Sequence, residues 1–435
     1  MSKIIKAKLG DICIQEKGAV ISGPFGSNIS SKYFIESGIP VIRGNNLSLS
    51  LDKFYDTGFV FISEERANEL KCDALRGDII FTAAGTIGQV GIIPENSKYM
   101  RYVISNKQIR ARIDITKVDL LYAYYWFSSP WIKKVLINSN KGSTVPLLTL
   151  HEVKTLPICY PEDIDEQRNI AEMIDTITNK IENNKKINSE IEDMAKTIYD
   201  YWFLQYEFPN EEGKPYKSSG GKMVWNDELK REIPEGWKIE KIKDCIMHIN
   251  TGLNPRNNFV LGNGDIKYVT VKNLTVDGTI DFSSCDMIDE AAKEIIHKRS
   301  DISKGDIIFA SIAPLGRCCI VQEEPKDWDI NESVFSIRPD LRKLSCEYLY
   351  MFFMSNNFVK KAEHSSTGSV FSGIRISILE DMYIILPSDE VKNKFKDAIS
   401  NVLIKKYNNQ RENQELTSLR DFLLPLLMNG QIGFK

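Results

Sequence analysis

The hydrophobic and polar positions along the chain follow the same order of patterns twice. In each half, short runs of β-branched residues come first, at residues 41–42, 78–82 and 91–93 and again at 268–271, 306–312 and 319–321. A glycine–aspartate turn leads into one run of each half, as is typical of a strand start. A helical segment, a Gly-Ser loop and a last strand ending at Pro161 or Pro387 then follow. Each half is therefore predicted to be a mixed α and β module of ordinary domain size.

The two halves also match residue by residue. Gly77-Asp78-Ile79-Ile80-Phe81 recurs as Gly305-Asp306-Ile307-Ile308-Phe309. Further matches occur in the same order at an almost constant separation: Asn46 with Asn273, Gly88 with Gly316, Asn106 with Asn331, and Asn183-Asn184 with Asn408-Asn409. Self-similarity on this scale indicates a tandem duplication.

Each half ends in a long charged segment with apolar residues three and four positions apart, a spacing typical of a coiled coil. The first seam is Ile170, Ile174, Ile177 and Ile181, resumed by Ile187, Ile191, Met194 and Ile198. The second is Phe395, Val402, Leu416 and Leu423, with Asn409 at the missing heptad position. We predict two long helices, residues 166–203 and 389–428, that form an antiparallel coiled coil with pseudo-two-fold symmetry. The first helix would span roughly 57 Å at about 1.5 Å per residue.

Asn184 and Asn409 lie near the midpoints of the two predicted helices. In an antiparallel pair with aligned ends the two midpoints meet, and a buried asparagine in a seam fixes register and orientation. The alternative is that both side chains are solvated at a break in the seam.

These patterns predict the following order along the chain: a first module at 1–162, a long spacer helix at 163–205, a linker at 206–235, a second module at 236–387, and a second helix with a tail at 388–435. The linker is inferred from its polar composition, which is rich in Gly, Lys and Ser. The predicted fold class is mixed α/β, with two tandem-repeated α+β domains separated by two long helices.

Composition narrows the function. The hydrophobic and charged fractions, 42% and 26%, are ordinary for a globular protein. The net charge of −3 does not indicate a nucleic-acid binder, so any DNA-binding surface must be a local concentration of Lys and Arg. The eight cysteines and four histidines lack metal-site spacing, which predicts reduced core thiols and no metal. Neither a secretion signal nor a bilayer-length apolar run is seen, which predicts a cytoplasmic protein.

The sequence has no Gly-x-x-x-x-Gly-Lys-Ser/Thr phosphate loop and no adenine-methyltransferase or dinucleotide fingerprint. A non-catalytic chain is therefore expected. Two other hypotheses stay open: a stand-alone nuclease or DNA-modifying enzyme, and a scaffold that holds a partner without reading DNA.

The chain resembles the specificity subunit of type I restriction–modification systems. The resemblance rests on the repeated Gly-Asp-Ile-Ile-Phe strands and on four further segments: the turns Gly85-Thr86-Ile87-Gly88 and Ala313-Pro314-Leu315-Gly316, the helix start Glu166-Gln167-Arg168-Asn169-Ile170-Ala171, and Ile233-Pro234-Glu235-Gly236-Trp237. It implies a non-catalytic subunit with two target recognition domains that read a bipartite, gapped DNA site. It further implies two methyltransferase subunits that use S-adenosylmethionine, and restriction and translocation subunits that can join and use ATP and Mg²⁺. No cofactor is expected on this chain.

Candidate DNA contacts follow from the chemistry of recognition. Arg, Lys, Asn and Gln read base edges, while Lys, Arg, Ser and Thr hold phosphates. The candidates in the first module are Arg43, Asn45, Asn46, Gln89, Lys141, Ser143 and Thr144, and those in the second are Lys272, Asn273, Arg317, Ser369 and Arg375. The alternative for the matched Gly, Asn and Ser positions is a turn or capping role. The loops between matched strands differ in sequence, which predicts an asymmetric DNA site.

Overall fold

The structure is a computed structural model that describes residues 3–138, 147–365 and 373–433. The chain divides into two compact units, one formed by Met1–Asn183 with Glu412–Lys435 and the other by Asn184–Arg411. Each unit contains one mixed α and β domain and a part of each of two long helices. This division agrees with the predicted pair of modules, and it shows that each long helix is shared between the units.

The first unit contains ten strands within its described residues: β1 (Ile4–Lys8), β2 (Val20–Ser22), β3 (Ile39–Ile42), β4 (Val60–Ile62), β5 (Asp73–Ala74), β6 (Ile79–Thr82), β7 (Val90–Ile92), β8 (Tyr102–Ile104), β9 (Gln108–Ala111) and β10 (Pro157–Pro161). Its helices are α1 (Glu64–Leu70), α2 (Leu120–Phe127), α3 (Pro130–Asn138), α4 (Leu150–Lys154) and the first half of α5 (Ile164–Tyr199). The strands form two four-stranded sheets, ordered β2-β9-β6-β7 and β4-β3-β8-β5, and a separate β1–β10 pair. Every pairing is antiparallel except that between β3 and β8.

The second unit repeats this arrangement. Its strands are β11 (Met223–Asn226), β12 (Arg231–Pro234), β13 (Lys238–Lys241), β14 (Ile246–Thr251), β15 (Ile266–Val269), β16 (Asp286–Ile288), β17 (Ile307–Ala310), β18 (Cys318–Ile320), β19 (Trp328–Ile330), β20 (Val334–Pro339) and β21 (Tyr383–Leu386). Its helices are α6 (Glu290–Ser300), α7 (Cys346–Met354), α8 (Asn356–Ser365), α9 (Ile376–Asp381) and most of α10 (Asp389–Met428). The sheet β14-β20-β17-β18 corresponds strand for strand to β2-β9-β6-β7, and β16-β15-β19 corresponds to β4-β3-β8.

The repeated glycine–aspartate pair has the same role in both units. Gly77 and Gly305 adopt φ angles of +83° and +92°, which favour glycine. The Asp78 carboxylate accepts hydrogen bonds from the Leu75 N–H at 2.8 Å and from Arg112 Nε and Nη2, both at 2.8 Å. Asp306 accepts the equivalent bonds from Ser303 and Arg338. Each aspartate therefore fixes the turn before the central strand and joins that strand to its neighbour.

The two long helices pack antiparallel within each unit. In the first unit, Ile170 and Ile174 near the start of α5 share a hydrophobic core with Leu424 and Leu427 near the end of α10. In the second unit, Tyr199 at the end of α5 packs on Phe395 near the start of α10, with ring centroids 6.2 Å apart. A π-helical turn at Asp200–Leu204 extends α5 to the end predicted from the sequence.

The asparagines of the helix pair are buried, as the register hypothesis requires. Asn184 is 1% exposed and Asn409 is 2% exposed, so neither is solvated. The Asn409 amide donates a hydrogen bond to Asn188 Oδ1 at 2.9 Å, and Asn188 donates to the Lys406 carbonyl at 3.4 Å. The polar contact thus includes Asn188, which lies one helical turn after Asn184. Asn188 was not among the residues predicted to fix the register.

In the second half of α5 the predicted seam is wrong at Ile187 and Met194, whereas Ile191 and Ile198 are half-buried and Ile198 packs against the core. Ile187 and Met194 are 38% and 45% exposed. The buried positions there are Asn184, Asn188, Ala195 and Tyr199. From Ile181 onward the buried positions are three, four or seven residues apart, and they include polar and small residues in place of Ile187 and Met194. Hydrophobicity alone therefore mislocated this face of the helix.

The segment 206–235, predicted as a linker, is folded into the second unit. β11 and β12 form an antiparallel pair within it. Phe208 stacks on Tyr216 and on Trp237, with ring centroids 4.5 and 4.9 Å apart. The Gly, Lys and Ser content indicated a flexible chain, but a few aromatic side chains are sufficient to anchor it.

Candidate nucleic-acid interface

The first unit contains a groove of about 560 Å³ between its two four-stranded sheets. Its walls come from the turn after β3, the segment after β6 and the turn between β8 and β9. The lining residues include three of the predicted DNA contacts, Arg43, Asn45 and Gln89. Arg43 and Lys107 line the groove, and none of its lining residues is acidic. A groove of this composition favours a polyanion such as DNA.

Arg43 and Asn45 lie on the turn that follows β3. Arg43 Nη2 and Asn45 Nδ2 both donate to the Gly58 carbonyl, at 3.0 and 3.2 Å. Asn45 is exposed and Arg43 is half-buried. Arg43 Nε has no hydrogen-bond partner among the described residues. A shared carbonyl therefore orients both side chains at the groove.

Gln89 uses its amide within the protein. Its Oε1 accepts from Thr82 Oγ1 at 3.0 Å, and its Nε2 donates to the carbonyls of Gly44 and Leu47, each at 3.1 Å. In the second unit, Arg317 Nη1 similarly donates to the Leu274 carbonyl at 2.9 Å. Gln89 therefore ties the turn after β3 to the sheet that contains β6 and β7, and Arg317 ties the turn after β15 to the sheet that contains β17 and β18. Both side chains are half-buried at the edge of their sheet.

The structure corrects the expectation that Asn46 and Asn273 contact DNA. Both side chains are fully buried. Asn46 Oδ1 accepts from the Arg43 N–H at 2.9 Å, and Asn273 Oδ1 accepts from the Thr270 N–H at 2.8 Å. Their amide nitrogens bond to atoms of the same loops. The two asparagines close matched turns, which is the alternative that the sequence left open.

Two further candidates of the second unit, Lys272 and Arg375, lie at its surface. Lys272 is exposed and forms an ion pair with Asp286 at 3.2 Å. Arg375 is exposed and immediately precedes α9. Lys141, Ser143, Thr144 and Ser369 lie outside the described residues.

The turn between β8 and β9 was not among the predicted DNA contacts. Asn106 and Lys107 are exposed on this turn, and both line the groove. A usable signal was the polar Ser105-Asn106-Lys107 segment between two buried strands. The sequence pattern matches Asn106 with Asn331, but the backbone bonds of the two turns pair Asn331 with Ser105, so Asn106 corresponds to Glu332.

Burial determines the protonation of two cysteine thiols of the first unit. Burial raises the pKa of Cys72 to about 12 and that of Cys13 to about 11, which keeps these thiols protonated and weakly nucleophilic. No group of three or more His, Cys, Asp or Glu side chains suited to a metal occurs in residues 3–138, 147–365 and 373–433. Within the same ranges, no helix combines the length and the apolar character needed to span a membrane.

The sequence was then compared with protein-family models. The family described as type I restriction modification DNA specificity domain matches residues 1–193 and 234–418. The chain belongs to this family. The two matched segments correspond to the two repeats, so the resemblance noted in the sequence and the predicted two-domain fold class are confirmed.

Individual members of the family align along most of the chain. The specificity subunit of the type I restriction enzyme MjaIX from Methanocaldococcus jannaschii is 28% identical over 422 residues, covering 96% of this chain and 92% of that protein. The specificity subunit of the HindI enzyme from Haemophilus influenzae is 23% identical, covering 82% and 87%. The crystal structure of a type I system S subunit from M. genitalium shares the fold, with a TM-score of 0.60 at 14% identity over 98% of this chain and 96% of that one.

Proposed function

We propose that this chain is the DNA-recognition subunit of a type I restriction–modification complex. Each domain reads one half of a bipartite, gapped and asymmetric DNA site, and the chain itself catalyses no reaction. The observation that carries the proposal is the groove of the first unit, lined by Arg43, Lys107 and neutral polar groups without a carboxylate. This groove supplies the local positive charge that a chain with a net charge of −3 needs for DNA.

The duplication supports a site in two parts. Both units carry the same sheet and the same buried aspartate–arginine pair, so each has the same frame for presenting side chains. The side chains on that frame differ, as with Gln89 and Arg317 at the matched position. Two domains with the same backbone frame but different side chains at the DNA read two different base sequences, so the whole DNA site is asymmetric.

The same duplication supports two copies of one partner. We propose that two methyltransferase subunits, which carry S-adenosylmethionine, dock on this chain, and that restriction and translocation subunits using ATP and Mg²⁺ join them. These cofactors belong to the partners in this proposal. The location proposed for the complex is the cytoplasm.

Co-expression with the cognate methyltransferase, followed by methylation-site sequencing of DNA exposed to the purified complex, tests the proposal. The expected result is adenine methylation in one gapped, two-part motif, with no methylation by either component alone. Methylation or cleavage by this chain alone would favour a stand-alone enzyme. A stable complex that methylates the same DNA sites as the methyltransferase alone would favour a scaffold.

A further inference from the structure

In each unit one short turn leads from one sheet to the other. It comprises residues 105–107 in the first unit and residues 331–333 in the second, and it lies at the same position in the two repeats. Each follows β8 or β19, in the sheet that contains β3 or β15, and leads into β9 or β20, in the sheet that contains β6 or β17. Each contains three residues, Ser105-Asn106-Lys107 or Asn331-Glu332-Ser333. These segments are called the crossing turns below.

Matched backbone hydrogen bonds hold both crossing turns at their two ends. The Ser105 N–H donates to the Ile42 carbonyl and the Asn331 N–H donates to the Val269 carbonyl, both at 2.9 Å. At the other end, the Lys107 carbonyl accepts from Ala83 at 2.7 Å and the Ser333 carbonyl accepts from Ser311 at 3.0 Å. Backbone bonds therefore hold both ends of each turn. Within each turn the side chain of the first residue adds a bond, because Ser105 Oγ accepts from the Lys107 N–H and Asn331 Oδ1 accepts from the Ser333 N–H.

A glycine packs closely against each crossing turn. A Cβ atom on Gly23 would lie 1.8 Å from the Ser105 carbonyl oxygen, and one on Gly252 would lie 1.6 Å from the Ile330 carbonyl oxygen. Only glycine permits this approach, because no real Cβ fits at such distances. Recognition is more precise when its side chains project from backbone held in this way.

The exposed charged side chains of the two crossing turns have opposite sign. Asn106 and Lys107 are exposed in the first turn, and Glu332, which the backbone bonds match to Asn106, is exposed in the second. Lysine donates to the O6 and N7 acceptors of guanine, whereas glutamate accepts from the N4 amino group of cytosine. A carboxylate is also repelled by phosphate, so Glu332 is unsuited to a backbone contact.

We propose that the crossing turns are specificity-determining elements, each reading one G·C pair in its half of the DNA site. Lys107 reads the guanine and Glu332 reads the cytosine. The inference rests on the proposed function and adds to it the residues and the base pair that each half uses.

The test uses the full chain in complex with its cognate methyltransferase. Methylation-site sequencing compares the wild type with Lys107→Glu, Lys107→Gln, Glu332→Lys and Glu332→Gln. The control is Lys6→Glu, which makes the same charge change as Lys107→Glu at an exposed residue of β1, on the separate two-stranded sheet. Thermal unfolding of each complex shows whether a variant remains folded.

The expected wild-type motif has a G·C pair in each half. Changing Lys107 should reduce discrimination at that pair about five- to 150-fold in one half only, and changing Glu332 should do so only in the other half. The control should keep the wild-type motif. An unchanged motif in all four variants would overturn the inference.

A uniform loss of methylation with the motif intact and a shallower salt dependence would also overturn the inference, because that result identifies a phosphate contact. A wild-type complex that methylates no gapped motif would instead overturn the proposed function, and the inference with it. The two failures are therefore distinguished by the wild-type sample.

Discussion

The buried aspartate of the repeated turn provides the sharpest test of how each domain is held together. Asp78 is 1% exposed and faces two guanidinium groups, that of Arg112 at 2.8 Å and that of Arg110 at 3.8 Å. Arg110 is itself buried, and two of its nitrogens, Nε and Nη1, have no hydrogen-bond partner among the described residues. Burial lowers the pKa of Arg110, and the charge of Asp78 acts against that shift. The replacement Asp78→Asn therefore removes the main counter-charge of a buried cation.

The magnitude follows from the cost of breaking a buried ion pair, roughly 3–5 kcal/mol. Arg112 is about a third exposed, so solvent screens part of the loss and the expected cost is about 3 kcal/mol. The matched change, Asp306→Asn, is the control. Arg338 is similarly exposed, and Ser336 occupies the position of Arg110, so no second buried cation is left unpaired. The expected cost there is about 1–2 kcal/mol.

Native-state hydrogen exchange measures the two domains separately, which global unfolding of a two-domain chain does not. A loss of 3 kcal/mol corresponds to about 150-fold faster exchange of the β6 amides in the Asp78 variant. The β17 amides of the Asp306 variant should change by about five- to 30-fold. Equal changes in the two variants, or changes below about threefold in both, would refute the argument that the second buried arginine sets the difference.

Three further predictions concern the helix pair and the groove. Asn188→Leu and Asn409→Leu should each lower the free energy of unfolding by about 1–3 kcal/mol, because each leaves the partner amide unpaired. The double variant should recover much of that loss. A double-mutant cycle measured by urea unfolding gives the coupling energy, and strictly additive costs would contradict the prediction. Burial raises the pKa of Glu192, but Lys406 at 2.6 Å and other charge contacts lower it overall. The stabilisation from Glu192 is therefore present above the unfolded pKa of about 4.3 and is lost as pH falls through the lower folded value. Glu192→Gln should flatten this part of the plot of stability against pH, and an unchanged plot would argue against the Glu192–Lys406 pair. Arg43→Ala should weaken DNA binding by the complex and reduce the salt slope by about one, and an unchanged slope would remove Arg43 from the interface.

The chain pattern alone was sufficient for the fold class because the relevant signals are local. The Gly-Asp turns, the β-branched runs and the spacing of apolar residues in α5 and α10 depend on neighbours a few residues away. The duplication then supplied the domain order without a structure. The helix ends were placed within a few residues for the same reason, since Pro161 and Pro387 mark the start of each helix.

Side-chain availability was decided by tertiary structure. Asn45 and Asn46 are adjacent and chemically identical, yet one is exposed and the other is fully buried beneath its own turn. Gln89 lies where the sequence placed it, but its amide is committed to two backbone carbonyls that are distant along the chain. A sequence shows which groups can form hydrogen bonds, whereas the partners that occupy them come from segments brought together only by folding.

The helix seam shows the same division. Periodicity determined that α5 and α10 form long helices with one buried face, because helix formation and amphipathicity are properties of nearby residues. Which residues of α5 occupy that face between Ile181 and Tyr199 depended on the partner helix, which packs against Asn188 and Ala195 and leaves Ile187 and Met194 to solvent. Burial depends on two surfaces in contact, whereas a single stretch of sequence contains the residues of only one of them.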